Sequence, residues 1–292
     1  MIRAMSRLRR ALAGFALALT FAGTAAAAPP VWVVKDKDSE IVLFGSIHVL
    51  PANLDWEPPA LERALKNADD IWFELPIDPQ SEANTAMLAQ QLGVLPPDGS
   101  LFKLLPPEDA ALMSQVAATY QVSPALLDRL KPWLAEIALA GGAYRKVGAD
   151  ATTGVEKIIS AMAPQARRQA FETPAEQIGM LSGGSSDEQL ASLRETLHEM
   201  ADKPDEYAVL VKAWIDGDMA TLDAEALAPL RKASPDLFKR LVTDRNARWT
   251  QVLDARMKGH GKTVVVVGVG HLIGPEGVPA RLRALGYSVT GP

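Results

Sequence analysis

Two stretches far apart in the chain, IVLFGSIHVLP (Ile41 to Pro51) and VVVVGVGHLIG (Val264 to Gly274), share one build. Each is an apolar, largely β-branched run that meets a glycine, with a histidine three residues later. Such a run bounded by glycine reads as a strand buried on both faces. The first is followed by a helical pattern at about Ala60 to Asn67, with Leu61 and Leu65 on one face, and then by IWFEL, a short strand carrying Glu74. The second is followed by PEGVPARLRAL as a helix, Gly286 as its stop and YSVT as a strand. Apolar strands joined by helical crossovers favour one shared, mostly parallel sheet. The expected fold is therefore α/β (α+β): two β-GxxH-α-β units, residues 29–76 and 262–292, forming one central mixed sheet. A large, mainly helical insertion, 77–261, lies between them within a single domain spanning 29–292.

Within the first unit, VWVVK and IVLFG flank the polar KDSE stretch and read as a β-hairpin. In the insertion, Pro107 to Tyr120 and Pro132 to Ala140 each start with a proline just inside a helix, where its missing N–H costs nothing. Further amphipathic stretches are Thr153 to Ala163, Asp187 to Ala201 and Pro235 to Lys258. RRQAFE (Arg167 to Glu172) reads as a short strand, and SGGSSDE (Ser182 to Glu188) as a flexible connector.

Residues 1–28 have the form of a secretory signal peptide. Arg3, Arg7, Arg9 and Arg10 precede an apolar run from Ala11 to Ala22, and GTAAAAPP offers Ala-x-Ala cleavage near Ala27 or Ala28. An uncleaved N-terminal anchor is the alternative. Cleavage predicts a periplasmic or secreted chain without a membrane segment. The formal charge of −5 then becomes about −9 with the four arginines gone. An acidic surface without basic clusters argues against nucleic acid as a partner. No cysteine is present, so disulfides and thiol chemistry are ruled out.

In open α/β sheets, ligands collect at the carboxyl ends of the strands. Gly45 and Gly268 sit there, and glycine permits unusual backbone angles or a close approach of other groups. His48 and His271 would then face the crevice, as metal ligands or as acid and base. Either one alone is equally well read as donating a hydrogen bond to a loop carbonyl. Glu74 brings a carboxylate out of an apolar strand and needs a cation, a metal or several donors. It fits as a third ligand beside the two histidines, an arrangement common in catalytic metal sites, or as the ion-pair partner of an arginine such as Arg245. Arg245 and Asn246, in TDRNARW, could orient a substrate carbonyl or steady developing negative charge, or belong to a surface helix of mixed charge. Glu172 opens FETPAEQ, where Thr173 can cap a helix with Glu176 at its third position. Glu156 in TTGVEKII could line the same crevice. Asp69 and Asp70 read as a solvated turn, and His198 and His260 as surface residues. No G-x-S-x-G motif, P-loop or dinucleotide fingerprint occurs.

LFGSIHVLP, IWFEL, GVEKII, FETPAEQIGML, DRNARW and VVVVGVGHLIGPEGV, taken in order, resemble the TraB/GumN family. That family is similar to the Tiki proteases and, more distantly, to erythromycin-esterase-like and haem-binding ChaN-like proteins. The resemblance implies a metal-dependent, peptidase-like site centred on His48, His271 and Glu74. It also maps the family's Arg-Asn pair onto Arg245 and Asn246, and its Leu-Glu-Thr stretch onto Phe171, Glu172 and Thr173. It implies manganese or cobalt rather than a settled zinc site. The chain departs from the family in two places: Ser46 stands where threonine is common, and Glu156 where aspartate is common.

The resulting expectation is a periplasmic or secreted metal-dependent hydrolase acting on a peptide or protein. His48, His271 and Glu74 would hold a manganese, cobalt or zinc ion, with Glu74, Glu172, Arg245 and Asn246 serving the chemistry. The alternatives are a binding protein for haem, metal or a peptide signal on the same fold, and an accessory factor in exopolysaccharide export.

Overall fold

The computed structural model describes residues 28–292 except 53, 165 and 166. The signal-peptide reading thus falls, apart from Ala28, outside the described residues. Among the described residues no helix is long and apolar enough to cross a membrane.

Strand β1 (Val31–Lys35) forms an antiparallel hairpin with β2 (Ser39–Ser46), as VWVVK and IVLFG predict. β2 is buried at every position but Glu40. The remaining strands are β3 (Leu50–Pro51), β4 (Asp70–Phe73), β5 (Ala149–Asp150), β6 (Arg168–Ala170), β7 (Gly261–Gly268) and β8 (Ser288–Thr290). Six of them form one sheet in the order β6-β4-β7-β2-β1-β8, in which β1 alone runs against the rest. β2 and β7 lie side by side and parallel, from Ser39 opposite Gly261 to Ser46 opposite Gly268. Both strands therefore end at one level, and the two histidine loops leave from the same edge.

The two units interleave. From β2 the chain passes through the helix Pro59–Asn67 to β4, stepping over β7. From β7 it passes through the helix Val278–Ala284 to β8, stepping the other way over β2 and β1. The winding reverses between β2 and β7, and such a switch point opens a crevice at the carboxyl ends of the strands. His48 and His271 sit at that crevice because two copies of one pattern wind in opposite directions.

Aromatic packing fixes the sheet beneath. Phe44 stacks on Trp56 at 5.7 Å between ring centroids and meets Trp214 edge-on at 6.2 Å. Trp214, fully buried, donates its indole N–H to the Gly45 carbonyl at 2.7 Å. Burial of rings this size dominates core energetics, at about 3–5 kcal/mol for truncation to alanine.

The insertion carries a second apolar core, including Leu101, Met113, Leu127, Leu139 and Leu197, separate from that of the sheet. Its helices Pro107–Thr119, Pro132–Lys146 and Ser186–Asp202 pack on one another. The insertion is not purely helical: β6, which covers most of RRQAFE, adds an edge to the main sheet, and β5 pairs with β3. The Ser182–Glu188 connector shrinks to Gly183–Ser185, since Ser185 already caps the next helix by accepting from the Glu188 N–H. The stretch from Pro235 to Lys258 is helical but broken by a wide turn at Lys239–Thr243, just before the helix Asp244–Met257. Asp70 also departs from expectation. It begins β4, accepts the Thr263 hydroxyl at 2.5 Å and pairs with Arg256 at 3.0 Å, so only Asp69 is in the solvated turn.

Candidate functional site

The two glycines of the G-x-x-H loops act through space, not through backbone angle. Neither has a positive φ. A Cβ on Gly45 would stand 2.8 Å from Cγ2 of Val269, so its absence lets the His271 loop cross directly over the end of β2. A Cβ on Gly268 would stand 3.3 Å from His48 Nε2 and 3.2 Å from Glu74 Oε1. Each loop's glycine thus makes room for the other loop or its partner.

Glu74 follows β4 directly and lies between the two loops, 7% exposed. Its Oε1 accepts the Gly268 N–H at 2.7 Å, and the Nε2 atoms of His48 and His271 each lie 3.9 Å from that same oxygen. Its Oε2 accepts from Arg245 Nη2 at 2.6 Å. Burial would push this carboxyl up, but Arg245, both histidines and the Gly268 N–H together outweigh it and hold Glu74 well below the usual carboxylate range.

Both imidazoles are aimed by a partner on Nδ1. His48 Nδ1 pairs with Glu156 Oε1 at 2.6 Å, and the Ser46 hydroxyl donates to that same oxygen. The two positions at which the chain departs from its resemblance, Ser46 and Glu156, are therefore bonded to each other. Glu156 sits in the first turn of the helix Val155–Met162, and its charge pushes the exposed His48 imidazolium up to about 10. His271 is buried, and burial pulls it down to about 3, so its ring is neutral. Asn246 donates to the Glu276 carbonyl at 2.9 Å, which turns its own Oδ1 toward His271 Nδ1 at 2.7 Å. The proton is thereby placed on Nδ1, and Nε2 is left as the acceptor facing Glu74.

Arg245, Asn246 and Trp249 share one face of the helix Asp244–Met257, and all three are buried. All five N–H groups of Arg245 are taken. Nε and Nη2 fork onto Glu172 at 2.7 and 2.9 Å, and Nη2 also reaches Glu74. Nη1 donates to His271 Nε2 at 2.9 Å and to the Leu241 carbonyl at 3.2 Å. Glu172 lies beside Glu74 because β6 continues alongside β4, with the Glu172 N–H on the Glu74 carbonyl at 3.0 Å. Thr173 forms the anticipated capping box with Glu176. Trp249 was not anticipated, yet its place four residues after Arg245 in a helical pattern carried the signal. It packs on His271 at 4.5 Å and donates to Glu172 at 3.1 Å. The ion pair between Glu74 and Arg245 is present, so the crevice already contains the Arg245 cation beside the His48 imidazolium.

The sequence model of the TraB/PrgY/gumN family matches residues 30–291. The chain belongs to the TraB/PrgY/gumN family. No curated protein and no solved structure matches it. The family match spans both histidine loops, Glu74, Glu172 and the Arg245–Asn246 pair, so every residue of the crevice described above falls within it.

As the side chains stand, no group of three or more His, Cys, Asp or Glu among the described residues is arranged to hold a metal ion. The donor set is nevertheless chemically suited to one. Two imidazole nitrogens and a carboxylate oxygen are the usual ligands of divalent zinc, cobalt and manganese, and each imidazole has the outer hydrogen-bond partner that such ligands carry. To take all three donors, an ion would have to displace Arg245 Nη1 from His271 Nε2 and the proton from the Nε2 of the His48 imidazolium. A groove of 520 Å³ runs from His48, Glu74 and Glu156 along Ile77 and Ala86 to Gln177, with the helix Pro79–Gly93 as one wall.

Proposed function

We propose that this TraB/PrgY/gumN chain is an exported, metal-dependent hydrolase of peptides or proteins. His48 Nε2, His271 Nε2 and Glu74 Oε1 are its ion-holding atoms. The observation that carries this reading is the convergence of both imidazole Nε2 atoms on one carboxylate oxygen, 3.9 Å from each. Export rests on the signal-peptide pattern of residues 1–28.

A divalent ion bound there would supply Lewis acidity toward a scissile carbonyl and an attacking water. The protein's own groups supply position and charge. Glu156 and Asn246 fix the two rings, and Glu74 remains ionised as a ligand or a general base. Arg245 and Glu172 hold Glu74 in place as a buried ion-pair network. The 520 Å³ groove beside His48 falls in the size range of ligand-binding clefts and is the place for a substrate chain.

The bond from Arg245 to His271 Nε2 favours a second reading, in which the crevice binds a ligand or ion without turnover. A broad peptide library incubated with manganese, cobalt or zinc separates the two. The hydrolase reading expects cleavage that chelator abolishes and that falls at least about a hundredfold in Glu74→Gln. Absence of cleavage with every ion refutes it.

A further inference from the structure

We propose that a second cavity, where the sheet core meets the helical insertion, binds a small organic ammonium ion. The cavity measures 190 Å³, and its walls include Tyr120, Tyr144 and Tyr207 together with Glu199, Lys203 and Glu206. Two of the three hydroxyls are already engaged, so Tyr120 and Tyr207 offer their rings. Tyr120 donates its hydroxyl to the Met200 carbonyl at 3.1 Å, Tyr207 donates to the Val49 carbonyl, and the Tyr144 and Tyr207 rings lie 4.6 Å apart at 51°. Aromatic faces gathered in this way attract a cation, and quaternary ammonium groups are recognised by such walls. The Tyr120 ring already draws Lys146 Nζ to 5.1 Å from its centroid.

The charge balance of the cavity points the same way. Lys203 is shared: its Nζ bonds Glu225 at 2.6 Å and stands 3.6 Å from Glu206 Oε1, beyond hydrogen-bond reach. Glu206 Oε1 is buried and has no hydrogen-bond partner among the described residues. A buried acceptor whose nearest cation stands outside hydrogen-bond reach gains from a ligand N–H or a further positive charge. Burial pushes both Glu199 and Glu206 up, with neighbouring carboxylates adding to it and Lys203 only partly opposing it. The site is independent of any metal in the main crevice. It is also close to that crevice, since Val49 directly follows His48.

Calorimetric titration of the intact protein with choline and with its neutral isostere, 3,3-dimethylbutan-1-ol, tests the proposal. Choline should bind saturably and about tenfold more tightly than the isostere. Tyr144→Leu and Glu206→Gln, each shown to be folded by circular dichroism, should each weaken choline by at least about fivefold. The proposal is overturned if choline gives no saturable heat, if the isostere binds as tightly, or if the folded variants bind choline like the parent. The isostere comparison uses the unaltered chain and so does not depend on the variants folding.

Discussion

Gly45 and Val269 are packed so closely that a Cβ on the glycine would lie 2.8 Å from Cγ2 of the valine. Val269 is two residues before His271, and Gly45 is three before His48, so this one contact sets the two histidine loops against each other. Replacing Gly45 by alanine should cost about 1–3 kcal/mol by overpacking. Val269→Ala should recover part of that loss in the double variant, as chemical denaturation of the four proteins in the cycle would show. Strict additivity would mean that the loops do not press on each other.

Arg245 is expected to matter more for stability than any surface ion pair. Arg245→Met leaves buried Glu74 and Glu172 with only the more distant His48 and Arg248, at 3.9 and 3.5 Å, as cations and should destabilise the fold by about 3–5 kcal/mol. Denaturant unfolding measures it. A loss below about 1 kcal/mol would show that the network is hydrated rather than closed.

How much of this was legible in the sequence differs by element. The strands were readable because β2 and β7 are buried on both faces, which leaves an unbroken apolar run ending in glycine. The partnership of His48 with His271 followed from recognising the same pattern twice. The reversal of winding that brings them together is a property of strand order, which no local pattern encodes. The Glu74–Arg245 pair was foreseeable as one of two fates for a carboxylate leaving an apolar strand. The forked bond to Glu172 was not, because it depends on β6 joining the sheet from inside the insertion. Of the two uses expected of Gly45 and Gly268, the close approach is present and the unusual backbone angle is not; which group approaches becomes visible only when distant side chains are in place.

Glu156 should govern the charge of His48. In Glu156→Gln the imidazolium loses the carboxylate that holds it near 10, and its titration should fall toward the ordinary histidine value of 6.5. Proton NMR of the His48 ring in metal-free protein follows this directly. A titration unchanged in the variant would assign the shift to Glu74 instead.

Glu136 links stability to pH in the helical insertion. Burial pushes its carboxyl up to about 7, and among the described residues its bonds come from the Ser192 and Thr196 hydroxyls, at 3.1 and 3.3 Å. An acid raised on folding contributes stability that is full below its unfolded value of 4.5 and is lost as pH rises through 7. Between pH 5 and pH 8 the parent should lose about 2 kcal/mol relative to Glu136→Gln, once partial exposure is allowed for. Parallel pH profiles of the two proteins would contradict this.

The shared ion is tested most directly by elemental analysis of protein purified without chelator and then incubated with manganese, cobalt or zinc. The expected result is about one ion per chain in the parent and in His260→Ala, whose histidine is exposed and remote from the crevice. His48→Ala and His271→Ala should each lose that ion. A parent that retains no ion under any of these conditions, or histidine variants that retain as much as the parent, would contradict a metal centre between the two loops.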